Sequence, residues 1–295
     1  MNVPTRIREY KLMVLIYRSQ NTILYTSINP QTNDKVVIKL INSAKSPKSR
    51  LDLETNLALN LNHKYILKGY KYVDISGFRA LIMPRAMDGD LSTWIAHRRI
   101  TSLVTAAKIM FRVLLAIKFL HSLNILHGDI KTANILMMNS LTEDPHPAII
   151  DFGFSTILSE GESCHCNLGT GPYAAPELLS YHPHSFPSDI YSLGITFYTL
   201  LHGQEPFPNV SVEFLRNIIT TKKPTFSGGL FDNAPSSLIL MIKSMLNIEP
   251  EKRPTASSLL HEKFFESILG ADWIEKELEE NKKNRCKDCP IISFF

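Results

Sequence analysis

The chain has 295 residues, of which 44% are hydrophobic and 20% are charged. This length accommodates two compact domains, and the composition excludes a disordered or collagen-like chain. Lys and Arg exceed Asp and Glu by only four residues. The excess forms no basic stripe, so we expect no nucleic-acid partner.

The first part of the chain, up to about Pro84, is rich in β-forming runs. The predicted strands are Lys11–Tyr17, Thr22–Ile28, Val36–Ile41 and Phe78–Met83. Between them, leucines four residues apart predict a helix over Arg50–Asn62. The sequence therefore predicts a small sheet with one helix, ending at a boundary between Pro84 and Gly89.

Beyond this boundary the periodicity of the hydrophobic residues is helical. The predicted helices are Val104–Leu123, Asp189–Leu201, Ser236–Leu246 and Thr255–Phe265. A charged helix is expected from Trp273, followed by a loose tail. The whole segment from Gly270 could bind a partner or the protein's own cleft. A solvated helix is the simpler interpretation.

The number of cysteines and the hydropathy of the chain indicate the cellular compartment. The four cysteines, Cys164, Cys166, Cys286 and Cys289, are too few for a disulfide framework. Four thiols could bind Zn²⁺, but the spacing matches no known zinc finger, so surface thiols are the preferred interpretation. Because we identify no membrane span and no signal peptide, we expect an intracellular protein, in the cytoplasm or nucleus, without membrane contact.

Three polar motifs follow one another in the second part of the chain. They are His127-Gly128-Asp129-Ile130-Lys131-Thr132-Ala133-Asn134, Asp151-Phe152-Gly153 and Ala175-Pro176-Glu177. In this order and spacing they resemble the signatures of the eukaryotic protein kinases. The resemblance implies an α+β, bilobal kinase-like fold over about residues 10–268. A small β-rich N-lobe (1–85) would precede a larger helical C-lobe (86–268) and a C-terminal tail (269–295).

The resemblance also implies a role for each polar residue of these motifs. Asp129 would accept and orient the substrate hydroxyl, and Lys131 would lie near the γ-phosphate of ATP. Asn134 and Asp151 would hold Mg²⁺, which prefers oxygen ligands. Thr170 would bridge Asp129 and Lys131. Taken singly, each residue could equally be a solvated loop residue.

ATP binding is implied for a second set of residues. Lys39 is similar to the strand lysine that contacts the α- and β-phosphates, and Glu54 to the helix glutamate that pairs with it. The alternative for Glu54 is a surface position. Other matches are the gatekeeper and hinge, Met83, Pro84 and Ala86, and the apolar residues that sandwich adenine, Leu24, Val37 and Leu136. These last three could also be plain core residues.

Two matches are architectural. Asp189 resembles the helix aspartate that braces the catalytic loop. Glu177 and Arg253 resemble a buried ion pair of the large lobe, which we assign to folding because losing one partner of such a pair is costly.

The chain departs from the kinase pattern in its glycine-rich loop. The three glycine positions hold Tyr17, Ser19 and Thr22. Glycine allows the backbone to approach phosphates closely, so we expect weaker nucleotide binding. Tyr17 could cover the ribose side of the pocket.

A second departure is Gly128, where most kinases have an arginine that binds a phosphorylated activation loop. Without this partner, activity should not need activation-loop phosphorylation. Charge-neutral substitutions at Ser155, Thr156, Ser159 and Ser163 should therefore leave activity largely intact.

Together these features predict a Ser/Thr protein kinase that uses ATP and Mg²⁺ and acts on a protein substrate in signalling. Lys131 in the catalytic loop favours Ser/Thr over Tyr. The alternative is a pseudokinase that serves as a binding scaffold or allosteric partner, as the lost glycines would allow. A kinase-fold enzyme acting on a small molecule is a remote third option. The substrate and the oligomeric state are not predicted.

Overall fold

The computed structural model describes residues 4–100, 102–139, 144–165 and 171–283. Within these described residues, the small lobe contains seven strands and one helix. These are β1 (Arg6–Ile7), β2 (Tyr10–Lys11), β3 (Leu15–Arg18), β4 (Thr22–Ile28), β5 (Lys35–Asn42), α1 (Lys48–Asn60), β6 (Lys71–Ile75) and β7 (Phe78–Pro84). Five strands form one antiparallel sheet in the order β3-β4-β5-β7-β6, and β1 pairs with β2.

Alternation along β5 determines which side chains face the cleft. Val36, Ile38 and Leu40 are fully buried in the core of the small lobe. Successive side chains of a strand point to opposite faces, so Val37 and Lys39 lie on the other face. Hydrophobic burial on one face of this strand thus orients the lysine of the site.

The large lobe is mainly helical. Its helices are α2 (Leu91–Ala96), α3 (Leu103–Ser122), α4 (Pro176–Leu179), α5 (Phe186–His202), α6 (Val212–Thr221), α7 (Ser236–Met245), α8 (Ala256–Leu259), α9 (Lys263–Leu269) and α10 (Ala271–Lys283). Its short strands are β8 (Ile125–Leu126), β9 (Ile135–Met137), β10 (Pro147–Ile149) and β11 (Thr156–Ile157). Most residues of α3 and α5 are buried, so these two helices form the centre of the lobe. Among the described helices, none combines the length and apolarity needed to cross a membrane.

The bilobal α+β fold predicted from the sequence is confirmed, with corrections to individual elements. The strand predicted over Lys11–Tyr17 is wrong as one element, because Tyr10–Lys11 pairs with β1 and only Leu15–Arg18 joins the main sheet. The helix predicted over Thr255–Phe265 is interrupted between Leu259 and Lys263. Strand β6 and helices α2 and α6 were not predicted, since their hydrophobic patterns are short or interrupted by charges.

Candidate active site

The catalytic loop forms a compact polar cluster around Asp129. The Asp129 carboxylate is buried and accepts hydrogen bonds from Lys131 Nζ at 2.7 Å and Asn134 Nδ2 at 2.9 Å. Asn134 Nδ2 also donates to the backbone carbonyl of Asp129 at 2.8 Å. A short 3₁₀ turn over Thr132–Asn134 closes the loop and brings the asparagine back to the aspartate. These three predicted residues therefore share one cluster.

Asp189 at the start of α5 holds the backbone of this loop. Its buried carboxylate accepts the N–H groups of His127 and Gly128, both at 2.9 Å, and contacts His121 Nε2 at 3.0 Å. Burial alone would raise the pKa of Asp189, but the hydrogen bond and charge of His121 lower it below its usual value. Gly128 has a φ of 78°, a left-handed conformation that favours glycine. Glycine at this position therefore suits the conformation of the loop.

Lys39 lies between two carboxylates. Its Nζ is 2.7 Å from Glu54 Oε1 on α1 and 2.7 Å from Asp151 Oδ1 in the large lobe. Burial lowers the pKa of Lys39, but the two negative charges outweigh it and raise that pKa overall. For Glu54, burial dominates and raises the pKa in spite of Lys39. Glu54 is thus buried against the lysine, and the surface alternative for it is wrong.

Asp151 remains ionised because of Lys39. Burial raises the pKa of Asp151, but the charge and hydrogen bond of Lys39 hold it at about 2, with help from the Gly153 N–H. A side chain at Gly153 would place its Cβ 3.0 Å from Asp151 Oδ1 and 3.3 Å from Glu54 Oε2. A larger residue at this position would therefore crowd the two carboxylates that the Asp-Phe-Gly segment passes.

Strand pairing brings Asn134 and Asp151 to the same end of a ladder. β9 and β10 are antiparallel, with Ile135 opposite Ile149. The N–H of Ile150 then donates to the carbonyl of Asn134 at 3.0 Å. Asn134 directly precedes β9 and Asp151 lies two residues after β10, so the two residues predicted to hold a metal ion lie at the same end of this antiparallel pair.

Three of the residues predicted to surround adenine lie on one face of the small-lobe sheet. Leu24 is opposite Lys39, and Val37 is opposite Met83. Directly opposed residues in a sheet point to the same side, so all four lie on the face that carries Lys39. Pro84 ends β7, with Ala86 just beyond it. Leu136 lies in the large lobe on β9, where it forms an isolated bridge with Asp90.

A tight hairpin replaces the glycine-rich loop. The N–H of Ser19 donates to the carbonyl of Thr22 at 2.8 Å, so a turn of two residues separates this hydrogen-bonded pair. The Ser19 hydroxyl accepts the N–H groups of Thr22 at 3.1 Å and Asn21 at 3.4 Å. These two backbone donors are therefore occupied within the turn. Tyr17 is opposite Leu24 on β3 and is 54% exposed.

A family model described as "Protein kinase domain" matches residues 19–265. The chain belongs to the protein kinase family.

Its curated relatives include proteins named serine/threonine-protein kinase PLK4 from three fruit flies. The Drosophila virilis protein is 28% identical over 272 residues, which is 90% of this chain and 34% of the relative. The Drosophila yakuba protein is 28% identical over 260 residues, which cover 86% of this chain and 33% of the relative. The Drosophila grimshawi protein is 27% identical over 280 residues, which cover 92% of this chain and 36% of the relative. The chain thus spans about a third of the length of these relatives.

Glu177 and Arg253 form a saturated ion pair away from the polar clusters. Both guanidinium Nη atoms lie 2.7 Å from the Glu177 carboxylate. The three remaining N–H groups donate to the carbonyls of Pro187, Asn247 and Ile248. Every donor of this kinase-domain arginine has an acceptor within the protein, which fits a structural role.

Some predicted residues lie outside the described part of the chain. Thr170, Cys166, Cys286 and Cys289 belong to this group. The remaining cysteine, Cys164, is hydrogen-bonded to a histidine, with Sγ 3.2 Å from His184 Nε2. Within the described ranges, no three His, Cys, Asp or Glu side chains are grouped so as to hold a metal ion.

The structure reveals a role for Ser155 that sequence reasoning missed. This residue was considered only as a phosphorylation position, but its side chain is buried and its hydroxyl donates to the His127 carbonyl at 3.1 Å. His127 in turn contacts the Ile150 carbonyl through Nε2 at 3.1 Å and packs against Phe152. Ser155 therefore links the Asp-Phe-Gly segment to the catalytic loop. Its position just after that motif was the available signal.

Proposed function

We propose that this kinase domain transfers the γ-phosphate of ATP to serine or threonine hydroxyls of a protein substrate. The observation that carries the proposal is the Asp129 carboxylate, buried between Lys131 and Asn134 at 2.7 and 2.9 Å. Phosphoryl transfer needs a positioned hydroxyl and neutralised phosphate charge rather than covalent help from the protein. The Asp129 cluster can supply the first requirement, and Lys39 and Lys131 contribute to the second.

The proposed reaction assigns a step to each group. Asp129 accepts a hydrogen bond from the substrate hydroxyl and takes up its proton as the oxygen attacks the γ-phosphorus. The new P–O bond forms as the bond between the β- and γ-phosphates breaks, and ADP leaves. Lys131 stabilises the negative charge on the transferring group, and Lys39 orients the α- and β-phosphates.

The donor set near Asp151 fits Mg²⁺. Asp151 is an ionised carboxylate, and Asn134 uses its Nδ2 for Asp129, which directs its carbonyl oxygen elsewhere. Both offer oxygen atoms, the ligands that Mg²⁺ prefers. When bound there, the ion would supply positive charge to the phosphate oxygens.

We further propose that activity does not depend on activation-loop phosphorylation. Gly128 offers no cation to a phosphate, and its left-handed backbone is held by Asp189 instead. Ser159 and Ser163 are exposed, so their replacement by alanine should leave activity unchanged. Ser155→Ala should lower activity for a structural reason, loss of the bond to His127. A large loss in Ser159→Ala or Ser163→Ala would contradict the proposal.

A pseudokinase is the second candidate function, favoured by the hairpin at Ser19–Thr22. Its backbone donors at Asn21 and Thr22 are bonded to the Ser19 hydroxyl, so the turn offers phosphates fewer contacts. In this alternative the domain binds a partner without transferring phosphate. For either function, the expected setting is intracellular, in the cytoplasm or nucleus, with a protein partner.

The deciding experiment measures transfer of labelled γ-phosphate from Mg-ATP to a mixed Ser/Thr/Tyr peptide pool. Wild type is compared with Asp129→Asn, which keeps the size of the side chain but removes its charge. We expect transfer to Ser and Thr in wild type and its loss in the variant. Absence of transfer by wild type over a wide range of ATP concentrations would instead favour the pseudokinase.

A further inference from the structure

Helix α10 follows the part of the chain that the kinase family model matches, which ends at residue 265. Most of its charged residues are exposed, but Glu277 is only 4% exposed. Burying a carboxylate is unfavourable unless hydrogen bonds and opposite charges compensate. The partners of Glu277 therefore indicate what holds this helix against the kinase core.

Glu277 accepts hydrogen bonds from three side chains of the kinase core. Arg112 on α3 approaches Oε2 through Nη2 at 2.6 Å and Nε at 3.2 Å. Lys64 Nζ lies 3.2 Å from Oε1, which also accepts the hydroxyl hydrogen of Tyr65. Burial and the hydrogen bond to Glu277 raise the pKa of Tyr65, so its hydroxyl is a protonated donor. One carboxylate thus joins α3 to the segment between α1 and β6.

That segment contacts the strand that leads to Asp151. The N–H of Ile149 donates to the Tyr65 carbonyl at 2.9 Å, and the N–H of Leu67 donates to the Ile149 carbonyl at 3.0 Å. Ile66 and Ile149 form a parallel bridge. Asp151 follows two residues later. Residues 64–67 therefore act as a strap between the buried carboxylate on α10 and the metal-binding end of β10.

Lys64 and Arg112 also contact the residues just before β10. The Lys64 carbonyl contacts His146 Nε2 at 3.1 Å, and Arg112 donates to the Pro145 carbonyl at 2.5 Å. Both contacts lie just before β10. The buried cluster around Glu277 thus determines where β10 begins as well as where it pairs.

We propose that Glu277 is a positioning residue for phosphoryl transfer, which orients Asp151 through Tyr65 and the 64–67 strap. The inference rests on the proposed kinase function and deepens it, because it extends the catalytic unit to a helix outside the matched domain. Removing Glu277 loosens β10, so the oxygen ligands of Asp151 and Asn134 no longer hold Mg²⁺ in a fixed arrangement.

The test compares Glu277→Gln with Glu279→Gln. Both variants neutralise one glutamate of α10, but Glu279 is exposed. A chain of contacts does not by itself prove that Glu277 and Asp151 are coupled. The test therefore changes Glu277 and measures the effect on Mg²⁺ binding near Asp151. The first readout is binding of the non-hydrolysable analogue AMP-PNP by calorimetry, with and without Mg²⁺. The second is kcat and the Mg²⁺ concentration that gives half-maximal transfer, well below the melting temperature.

We expect Mg²⁺ to tighten AMP-PNP binding in wild type and in Glu279→Gln. In Glu277→Gln, Mg²⁺ affinity should fall by about tenfold, as for other residues that orient metal ligands, while metal-independent nucleotide binding is retained. If Glu277→Gln lowers only the melting temperature and matches Glu279→Gln in both readouts, the inference is wrong. No Mg²⁺-dependent binding by wild type would also overturn it.

Tyr65→Phe provides a second variant in case Glu277→Gln does not fold. It removes one hydroxyl while the ion pairs of Glu277 with Arg112 and Lys64 remain. A smaller loss of Mg²⁺ affinity in the same direction is expected, and an unchanged affinity would contradict the strap. If wild type transfers no phosphate but the binding differences hold, the proposed function fails, while the inference that Glu277 positions the Mg²⁺ ligands stands.

Discussion

Two buried ion pairs, Lys39–Glu54 and Glu177–Arg253, differ in how their charges balance. Glu177 and Arg253 cancel each other, and all five N–H groups of the arginine are bonded. Lys39 is shared by Glu54 and Asp151, each at 2.7 Å, so two carboxylates face one lysine. The Glu177–Arg253 pair is complete, whereas the Lys39 cluster of one lysine and two carboxylates lacks one positive charge.

The pKa values of Glu54 and Asp151 in the Lys39 cluster reflect this imbalance. Burial raises the pKa of Glu54, while Lys39 holds that of Asp151 at about 2. A bound cation would relieve the repulsion between the two carboxylates. The comparison shows that an ion pair whose charges and hydrogen bonds are balanced stabilises the fold. A cluster with an unbalanced negative charge, such as Lys39 with Glu54 and Asp151, marks where a positively charged ligand can bind.

The largest effect is expected on the saturated pair. Glu177→Ala leaves Arg253 buried without its counterion and should lower the free energy of unfolding by about 3–5 kcal/mol. Activity at a temperature where the variant is folded should be unchanged. Urea unfolding of Glu177→Ala beside the double variant Glu177→Ala/Arg253→Met measures the effect, and the double variant should recover part of the loss. A single variant as stable as wild type would break the comparison.

Removing the shared lysine should act on the reaction instead of the fold. Lys39→Met keeps an unbranched chain of similar length but removes the charge, so kcat/KM should fall by about 10²–10³-fold. Glu54, whose pKa burial already raises, can take up a proton and thereby limit the destabilisation. Lys35→Met, an exposed position on the same strand, is the matched control. A variant that loses stability while its folded fraction retains activity would show that this pair is a brace as well.

The resemblance of the sequence motifs to those of the protein kinases was sufficient to indicate the residues of the two polar clusters. Lys39, Asp129, Asn134 and Asp151 were all identified by their matches to these motifs. The helix that carries Glu54 was indicated by leucine periodicity. What spacing could not show is that Lys39 contacts Asp151, 112 residues away, as closely as it contacts Glu54.

Tertiary contacts decided the features that the sequence left open. Nothing in the charged stretch from Glu275 to Glu280 distinguishes buried Glu277 from exposed Glu279, because the difference arises from Arg112 and Tyr65 on distant elements. For Ser19, the sequence predicted only that replacing a glycine of the loop weakens nucleotide binding. The bonds of the Ser19 hydroxyl to the turn depend on a hairpin geometry that composition does not reveal.

The hairpin at Ser19–Thr22 is a third region for this comparison, because its backbone N–H groups at Asn21 and Thr22 are already hydrogen-bonded to the Ser19 hydroxyl. Ser19→Gly combined with Thr22→Gly releases backbone N–H groups toward a nucleotide and should lower the KM for ATP by about fivefold to tenfold, the effect of one or two hydrogen bonds. Thr32→Gly, in the exposed turn between β4 and β5, is the control. Steady-state kinetics at varied ATP gives the answer. An unchanged KM would mean that the Lys39 cluster alone determines nucleotide affinity.

The smallest effect is expected at Gly128, where backbone strain and catalysis can be separated. Its φ of 78° means that Gly128→Ala should cost about 1 kcal/mol of unfolding free energy. Gly161 has a φ of 76°, and a Cβ there would meet nothing within 4 Å, so Gly161→Ala carries the same strain outside the catalytic loop. Unfolding assays should show similar losses of stability for Gly128→Ala and Gly161→Ala. Activity should fall only in Gly128→Ala, because Asp189 positions the backbone next to Asp129. Equal activities would show that this brace serves stability alone.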